Sequence, residues 1–363
     1  MNQPKLYICY SINDFFAREA GISLTGFLEN NPDYEPEEVF ILDYGIRPIN
    51  QEKLDSTATH YGRRITYLNA KRLTNELKRQ FPHLKSWRGT MAPNAKCFVD
   101  EIFPDYVERL LFIDADTVVA GSVAELKTID MSGKALGVVP ASMRKKDFGK
   151  GKVHLENGNQ MYFNTGVLLY EMNNWRRENC HQMIMDTLHK KINLDWPDQN
   201  LLNNAIPERL LKLLPPKFNH LTHYYHPRQE QTLLHKGNWF SEQEIEEAIR
   251  RPAIIHYLGG WVMARPWYEG CRSTHTGEYL RYKALSPWRD SPLFVHNTDT
   301  MPPTDFRGKL CYWQLKQCSK NQPYRLTYMI DKVCNKIFRA MDKFQKLKEK
   351  RKSKGKDDKK TSF

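Results

Sequence analysis

The chain has 363 residues, of which 40% are hydrophobic, 12% aromatic and 27% charged. That is enough apolar material for a large packed core, which excludes a wholly disordered or collagen-like chain, and at roughly 100–200 residues per domain it fits one large domain with additions or two modest ones. The formal charge is +13, but residues 332–363 hold 13 basic against 4 acidic residues, a net of +9; the remaining body is only mildly basic, and a nucleic-acid partner is not expected.

No window approaches the ~18 uninterrupted apolar residues that a membrane-spanning helix requires, and the start Met1-Asn-Gln-Pro-Lys5 runs into an apolar strand without a secretory h-region. A cytoplasmic protein is expected. The seven cysteines show no C-x-x-C pair and read as scattered reduced thiols.

In chain order, Leu6-Tyr-Ile-Cys-Tyr10 reads as a strand, the polar stretch Ser11 to Asp14 as a loop, and Ala17 to Leu28 as a helix. Val39 to Leu42, Arg64 to Leu68 and Leu110 to Ile113 read as further strands, with helical spacing between the first two and before the last. Ala135 to Val139 and Val167 to Tyr170 continue the sheet, and Trp175 to Lys191 reads as one helix. Such alternation predicts an α/β fold with a mainly parallel sheet covered by helices, whose ligands bind beyond the carboxyl ends of the strands. Met143 to Gln160 is polar, Gly- and Lys-rich and without periodicity, a candidate mobile loop, and Tyr268 to Tyr328 is dense in aromatics and prolines.

At the end of the fourth strand Asp114 and Asp116 stand at i, i+2, a spacing that places both carboxylates on one side of an extended chain. Two such groups together suit a hard divalent cation, Mn²⁺ or Mg²⁺; a solvated pair at a strand–loop junction is the plain alternative. Two enzyme classes place D-x-D there. A haloacid-dehalogenase-like phosphatase carries it in its first strand and needs a second acidic pair within the folded body, whereas here the adjacent aspartate pair after the motif, Asp357-Asp358, lies in the basic tail. The other class is the nucleotide-sugar transferases.

Four segments speak for the second class together: Leu110 to Val119, Tyr162-Phe-Asn164-Thr-Gly through Trp175-Arg, Trp196-Pro-Asp198-Gln199-Asn through Asn203, and Ile254-Ile-His256 through Arg265-Pro-Trp267. In this order they closely resemble the signature segments of glycosyltransferase family 8, retaining hexosyltransferases of the GT-A fold, and the likeness spans about residues 5–290. It implies a Rossmann-like catalytic domain over 1–270; the composition beyond it reads as an aromatic and Pro-rich helical add-on over 271–330 and a basic amphipathic helix with a disordered tail over 331–363. The likeness implies that Asp114, Asp116 and His256 hold Mn²⁺, with Mg²⁺ the alternative, and that the metal bridges the phosphates of a UDP-sugar. It places Tyr10, Ser11 and Asn13 at the nucleotide, Lys96 where the family commonly has an arginine contacting nucleotide and sugar, and Ala115 and Gly259 along the donor. Arg265 stands near the family's phosphate-binding lysine, with three extra residues after His256. Asn164, Asp198 and Gln199 match the positions that contact the transferred sugar, Asp198 and Gln199 being the catalytic pair; on its own residues Asp198 also reads as a helix N-cap. A degenerate transferase that only binds UDP-sugar or glycan is the rival reading.

In the tail, Ile330, Val333, Ile337, Met341 and Phe344 recur at steps of three and four among lysines and arginines, a basic amphipathic helix. Such a helix either lies on the anionic cytoplasmic face of a membrane, where the acceptor would be a lipid-linked or cell-surface glycan, or packs on the protein's own body.

Overall fold

The computed structural model describes residues 4–87, 89–141, 153–154, 160–192, 194–222, 239–257, 265–269, 271, 273, 275–294 and a set of helical positions between 306 and 341. Gly259, most of the stretch from Met143 to Gln160, Phe344 and the basic run after it lie outside the described residues.

Strands and helices alternate along the first half of the chain: β1 (Leu6–Ile12), α1 (Ala17–Asn30), β2 (Glu38–Asp43), α2 (Pro48–His60), β3 (Arg64–Leu68), α3 (Lys71–Gln80), a 3-10 segment Ala92–Phe98 leading into α4 (Val99–Ile102), β4 (Arg109–Ile113), β5 (Thr117–Val119), α5 (Ala124–Thr128) and β6 (Leu136–Pro140). There follow β7 (Val153–His154), β8 (Gln160–Met161), β9 (Phe163–Glu171), α6 (Met172–Arg177), α7 (Cys180–His189), α8 (Pro197–Ala205), β10 (Leu211–Leu213), β11 (His220–Leu221), α9 (Glu242–Arg250), β12 (Ile254–His256) and α10 (Thr276–Leu285).

The main sheet has seven strands in the order β10-β6-β9-β4-β1-β2-β3. β3, β2, β1 and β4 run parallel, as does β10 with β6, while β9 runs antiparallel to both β4 and β6. The architecture is therefore the expected α/β one with a single reversed strand. That reversal matters for the site, because it brings the start of β9 to the edge where β4 ends.

Alternation along the strands feeds two cores, one on each face of the sheet. Ile8, Tyr10 and Ile12 of β1 join Ala20, Leu24 and Phe27 of α1, whose steps of three and four make one apolar stripe. Tyr7 and Cys9 face the other way, toward Phe98, Trp175 and Leu201. Each fully buried large side chain here contributes on the order of 1.5–3 kcal/mol. Gly21 in α1 is required by packing: a Cβ there would lie 2.1 Å from Cζ3 of Trp288. The expected single helix from Trp175 to Lys191 is instead α6 and α7, broken at Asn179, whose φ of 53° is left-handed, a conformation that asparagine tolerates better than most residues.

By internal contacts the chain forms two compact units, residues 1–267 with 272–292, and residues 268–271 with 293–363. The stretch 272–292, expected in a C-terminal add-on, thus packs within the first unit. In the second, Tyr268 and Phe294 form a parallel bridge with their rings 5.5 Å apart. Its described helical positions leave Leu326, Met329 and Val333 exposed.

Candidate functional site

Main-chain pairing, more than local sequence, assembles the acidic site. β4 stops at Ile113, the Asp114 amide donates to the Gly166 carbonyl (2.7 Å), and the chain turns through Asp114–Asp116 into β5. The two aspartates therefore meet through a turn, not through the extended strand that their spacing suggests. β5 pairs antiparallel with β12 so that Thr117 lies opposite His256, and the Tyr257 amide donates to the Asp116 carbonyl (2.9 Å). This register delivers an imidazole from 140 residues downstream. His256 Nε2 lies 3.2 Å from Asp116 Oδ1, and ligand atoms of Asp114, Asp116 and His256 all fall within 4.8 Å of one another.

Two carboxylates and one imidazole form an O/O/N donor set that suits Mn²⁺ and is compatible with Mg²⁺. The charges around them are unevenly matched. Burial pushes the Asp114 carboxyl up, and neighbouring Asp116 adds to this while the Lys96 ammonium opposes it. Burial also acts to raise Asp116, but His256 and Arg265 outweigh it and hold that carboxyl far below the usual carboxylate range. A cation between the two carboxylates would relieve Asp114, so the residues fit a divalent metal.

Lys96 lies behind the acidic pair, 1% exposed. Its Nζ contacts Asp114 Oδ1 (2.6 Å), Asp198 Oδ2 (3.1 Å) and the Thr165 carbonyl (2.9 Å), which uses all three ammonium hydrogens. Burial alone would lower its pKa; the Asp114 and Asp198 carboxylates more than offset that and keep it charged. Asp198 does not cap α8: Trp196 is the N-cap, and the Asp198 carboxylate, in the first turn, accepts instead from Lys96 and from Thr165 Oγ1 (2.7 Å).

Gln199 is held at both ends. Its Oε1 accepts from Asn164 Nδ2 (3.0 Å) and the Thr165 amide (3.3 Å), while its Nε2 donates to the Tyr162 hydroxyl (2.9 Å). At the end of β1, where the nucleotide is expected, Ser11 Oγ donates to the Ala92 carbonyl (2.8 Å), and Asn13 Oδ1 is buried with no hydrogen-bond partner among the described residues. A buried acceptor left open in this way is what a ligand N–H or O–H would satisfy. Tyr10, expected beside the donor, is fully buried: its position in β1 points the ring into the α1 core, where its hydroxyl pairs with Ser23 Oγ (3.0 Å). Ala115 is buried between the two aspartates. Arg265, expected on phosphate, bonds Asp116 Oδ2 (3.0 Å) with its guanidinium 5.1 Å from the Trp267 ring centre.

Sequence reasoning did not single out Tyr162, Thr165 or Gly166. Gly166, one residue before the expected strand Val167 to Tyr170, lies inside β9, where a glycine marks close approach of another group. A Cβ at 166 would lie 2.0 Å from Cε1 of His256, so the imidazole can reach Asp116 only because β9 has no side chain there.

Comparison with known proteins identifies the family. The chain is 23% identical over 288 residues to the lipopolysaccharide 1,2-glucosyltransferase of Escherichia coli, covering 78% of this chain and 80% of that one. It is 23% identical over 295 residues to the lipopolysaccharide 1,3-galactosyltransferase of Salmonella typhimurium, covering 80% and 81%. General stress protein A of Bacillus subtilis is 22% identical over 78% of this chain and 94% of its own. In fold the chain is similar to galactosyltransferase LgtC, solved in complex with donor and acceptor sugar analogs, at a TM-score of 0.61 and 20% identity over 83% of this chain and 99% of that one. The sequence model for glycosyl transferase family 8 matches residues 7–271. The chain is therefore a member of glycosyltransferase family 8, a family of retaining hexosyltransferases, and not a haloacid-dehalogenase-like phosphatase.

Proposed function

We propose that the protein transfers a hexose, glucose or galactose, from a UDP-sugar to a cell-surface glycan or lipid-linked oligosaccharide with retention at the anomeric carbon. The observation that carries this is the convergence of Asp114, Asp116 and His256 beside the Lys96–Asp198 pair and the clamped Gln199 amide. Asp114, Asp116 and His256 are the groups that would hold Mn²⁺, or Mg²⁺ in its place; when bound, the ion neutralises charge on the departing diphosphate. Asn13 and Ser11 bind the nucleotide end, and Asp198 accepts hydrogen bonds from sugar hydroxyls while Lys96 holds its carboxylate in place. The amide of Gln199 has both ends committed and is a poor nucleophile. It orients the sugar near its anomeric carbon, which favours a front-side, oxocarbenium-like path in which the leaving phosphate assists the acceptor. Arg265 exchanges Asp116 for phosphate when donor enters. The names of the lipopolysaccharide transferases among the relatives support glucose or galactose as the hexose.

Incubating the protein with a panel of UDP-sugars should release UDP from UDP-glucose or UDP-galactose only when Mn²⁺ or Mg²⁺ is present. The engagement of Arg265 with Asp116 gives the degenerate binder its one specific support. Calorimetry showing metal-dependent UDP binding with no turnover on any donor would decide for it.

Among the described residues no helix is long and apolar enough to cross a membrane. Attachment to the cytoplasmic face through the tail is the reading we favour: of the expected stripe Val333 is exposed and Ile330, Ile337 and Met341 are half-buried, while Lys332 and Lys336 beside them are exposed. Each basic residue near an anionic leaflet contributes on the order of 1 kcal/mol. Deleting residues 332–363 should weaken sedimentation with phosphatidylserine-containing vesicles by about tenfold or more, since several such contributions are lost together. Turnover on a soluble acceptor should be unchanged. Undiminished vesicle binding would place the membrane contact elsewhere.

A further inference from the structure

We propose that Asn219 is the positioning residue that sets which nitrogen of His256 faces the acidic pair, and that it ties this imidazole to the amides beside the transferred sugar. The inference rests on the donor-site reading above and deepens it.

The orientation of each amide follows from backbone donors, which cannot accept. The Gly166 N–H donates to Asn164 Oδ1 (2.8 Å), which identifies that end of Asn164 as its oxygen. Its other end, Nδ2, then donates to Gln199 Oε1, the atom that the Thr165 N–H also reaches. Asn219 Nδ2 donates to the same Asn164 oxygen (2.9 Å), so Asn219 must present its own oxygen to His256 Nδ1, 3.0 Å away. An acceptor at that point requires Nδ1 to carry hydrogen. In the neutral ring His256 Nε2 is then left with its lone pair toward Asp116 Oδ1, and two acceptors facing each other at 3.2 Å call for a cation between them, either a proton on Nε2 or a metal ion that displaces it. With the other tautomer, oxygen and lone pair would oppose each other at Asn219, and an N–H would close off Asp116.

The arrangement is fixed by burial and register. Asn219 and His256 are each 2% exposed and Asn164 is 7% exposed, so none of these bonds can be exchanged freely for water. Asn219 ends the 3-10 turn Pro216–Asn219 just before β11, and β11 runs parallel to β12 with Leu221 opposite His256. One run of hydrogen bonds therefore passes from His256 through Asn219 and Asn164 to Gln199, and on through Tyr162 to Asn200 Oδ1 (2.8 Å). Nothing in the local sequence marks Asn219, because its role is visible only once its neighbours' amides are oriented.

The test uses the full chain with Asn219→Ala and the near-isosteric Asn219→Asp. Mn²⁺ binding to nucleotide-free protein is read by electron paramagnetic resonance of the free ion, and the His256 tautomer by ¹⁵N-labelled histidine spectra assigned with His256→Gln. Loss of an outer-shell partner is expected to weaken Mn²⁺ binding about 10–100-fold in Asn219→Ala. Asn219→Asp keeps an oxygen opposite Nδ1 and should bind Mn²⁺ at least as tightly as the parent protein. It has no donor for Asn164, however, so its kcat should fall with little change in KM for donor. The parent protein should show the Nδ1–H tautomer and Asn219→Ala a mixture. An Nε2–H tautomer in the parent overturns the proposal, as does unchanged Mn²⁺ affinity in Asn219→Ala or an equal loss in both variants. If the parent shows the Nδ1–H tautomer but binds no Mn²⁺, the donor-site reading fails while the tautomer assignment stands.

Discussion

Converting Asp114 and Asp116 together to asparagine should cut metal-dependent UDP-sugar hydrolysis by at least about 10³-fold, equivalent to about 4 kcal/mol of transition-state stabilisation. The substitution preserves shape and most packing, so the loss reports charge. Both carboxylates lie within ligand distance of His256, and an amide oxygen is a far weaker ligand for a hard cation. Initial rates of UDP release, with folding checked by circular dichroism, make the measurement. Activity within tenfold of the parent would show that the acidic pair does not carry the chemistry.

The second large effect is expected at Lys96. Replacing it with methionine, similar in length but uncharged, removes the ammonium that Asp114, Asp198 and the Thr165 carbonyl share. Removing one partner of a buried ion pair typically costs about 3–5 kcal/mol, because the other charge is left without compensation. For a unit of this size that corresponds to a fall in Tm on the order of 10 °C. The sign with pH follows from the carboxylates left behind. Burial and Asp116 already raise Asp114 above its unfolded value, and without Lys96 it rises further. Such a group stabilises the fold in its protonated form, so the gap between Lys96→Met and the parent should narrow as pH falls toward about 4, where an unfolded aspartate is half protonated. Calorimetry across that range would show it; a Tm unchanged at neutral pH would mean that Lys96 is not the counter-ion.

How much of this could be read from the sequence depends on how local each feature is. The alternation of apolar strand and amphipathic helix is written within windows of about ten residues, as is D-x-D following an apolar strand, and both were legible. His256 was legible only through the family resemblance: by its own residues it is one of twelve histidines, and the β5–β12 pairing brings it to Asp116. Lys96 shows the same limit in another form. A lysine in a short 3-10 segment ordinarily extends into water, and its burial follows from two carboxylates contributed by the turn after β4 and by α8. Asp198 had a sound local reading as a cap, and the tertiary demand of Lys96 overrode it. Asn179 breaks a continuous helical pattern through one backbone angle that periodicity does not register.

The contact between β9 and the imidazole limits any redesign of the site. Because a methyl group at 166 would occupy space 2.0 Å from His256 Cε1, the two positions are rival tenants of one small volume. An alanine introduced at 166 to stiffen the strand would first require a shorter ligand at 256, such as aspartate. That exchange would turn a site with an imidazole donor into an all-oxygen one, which suits magnesium or calcium better than one holding a nitrogen ligand. The choice of ion and the stiffness of the strand are thus adjustable only as a pair.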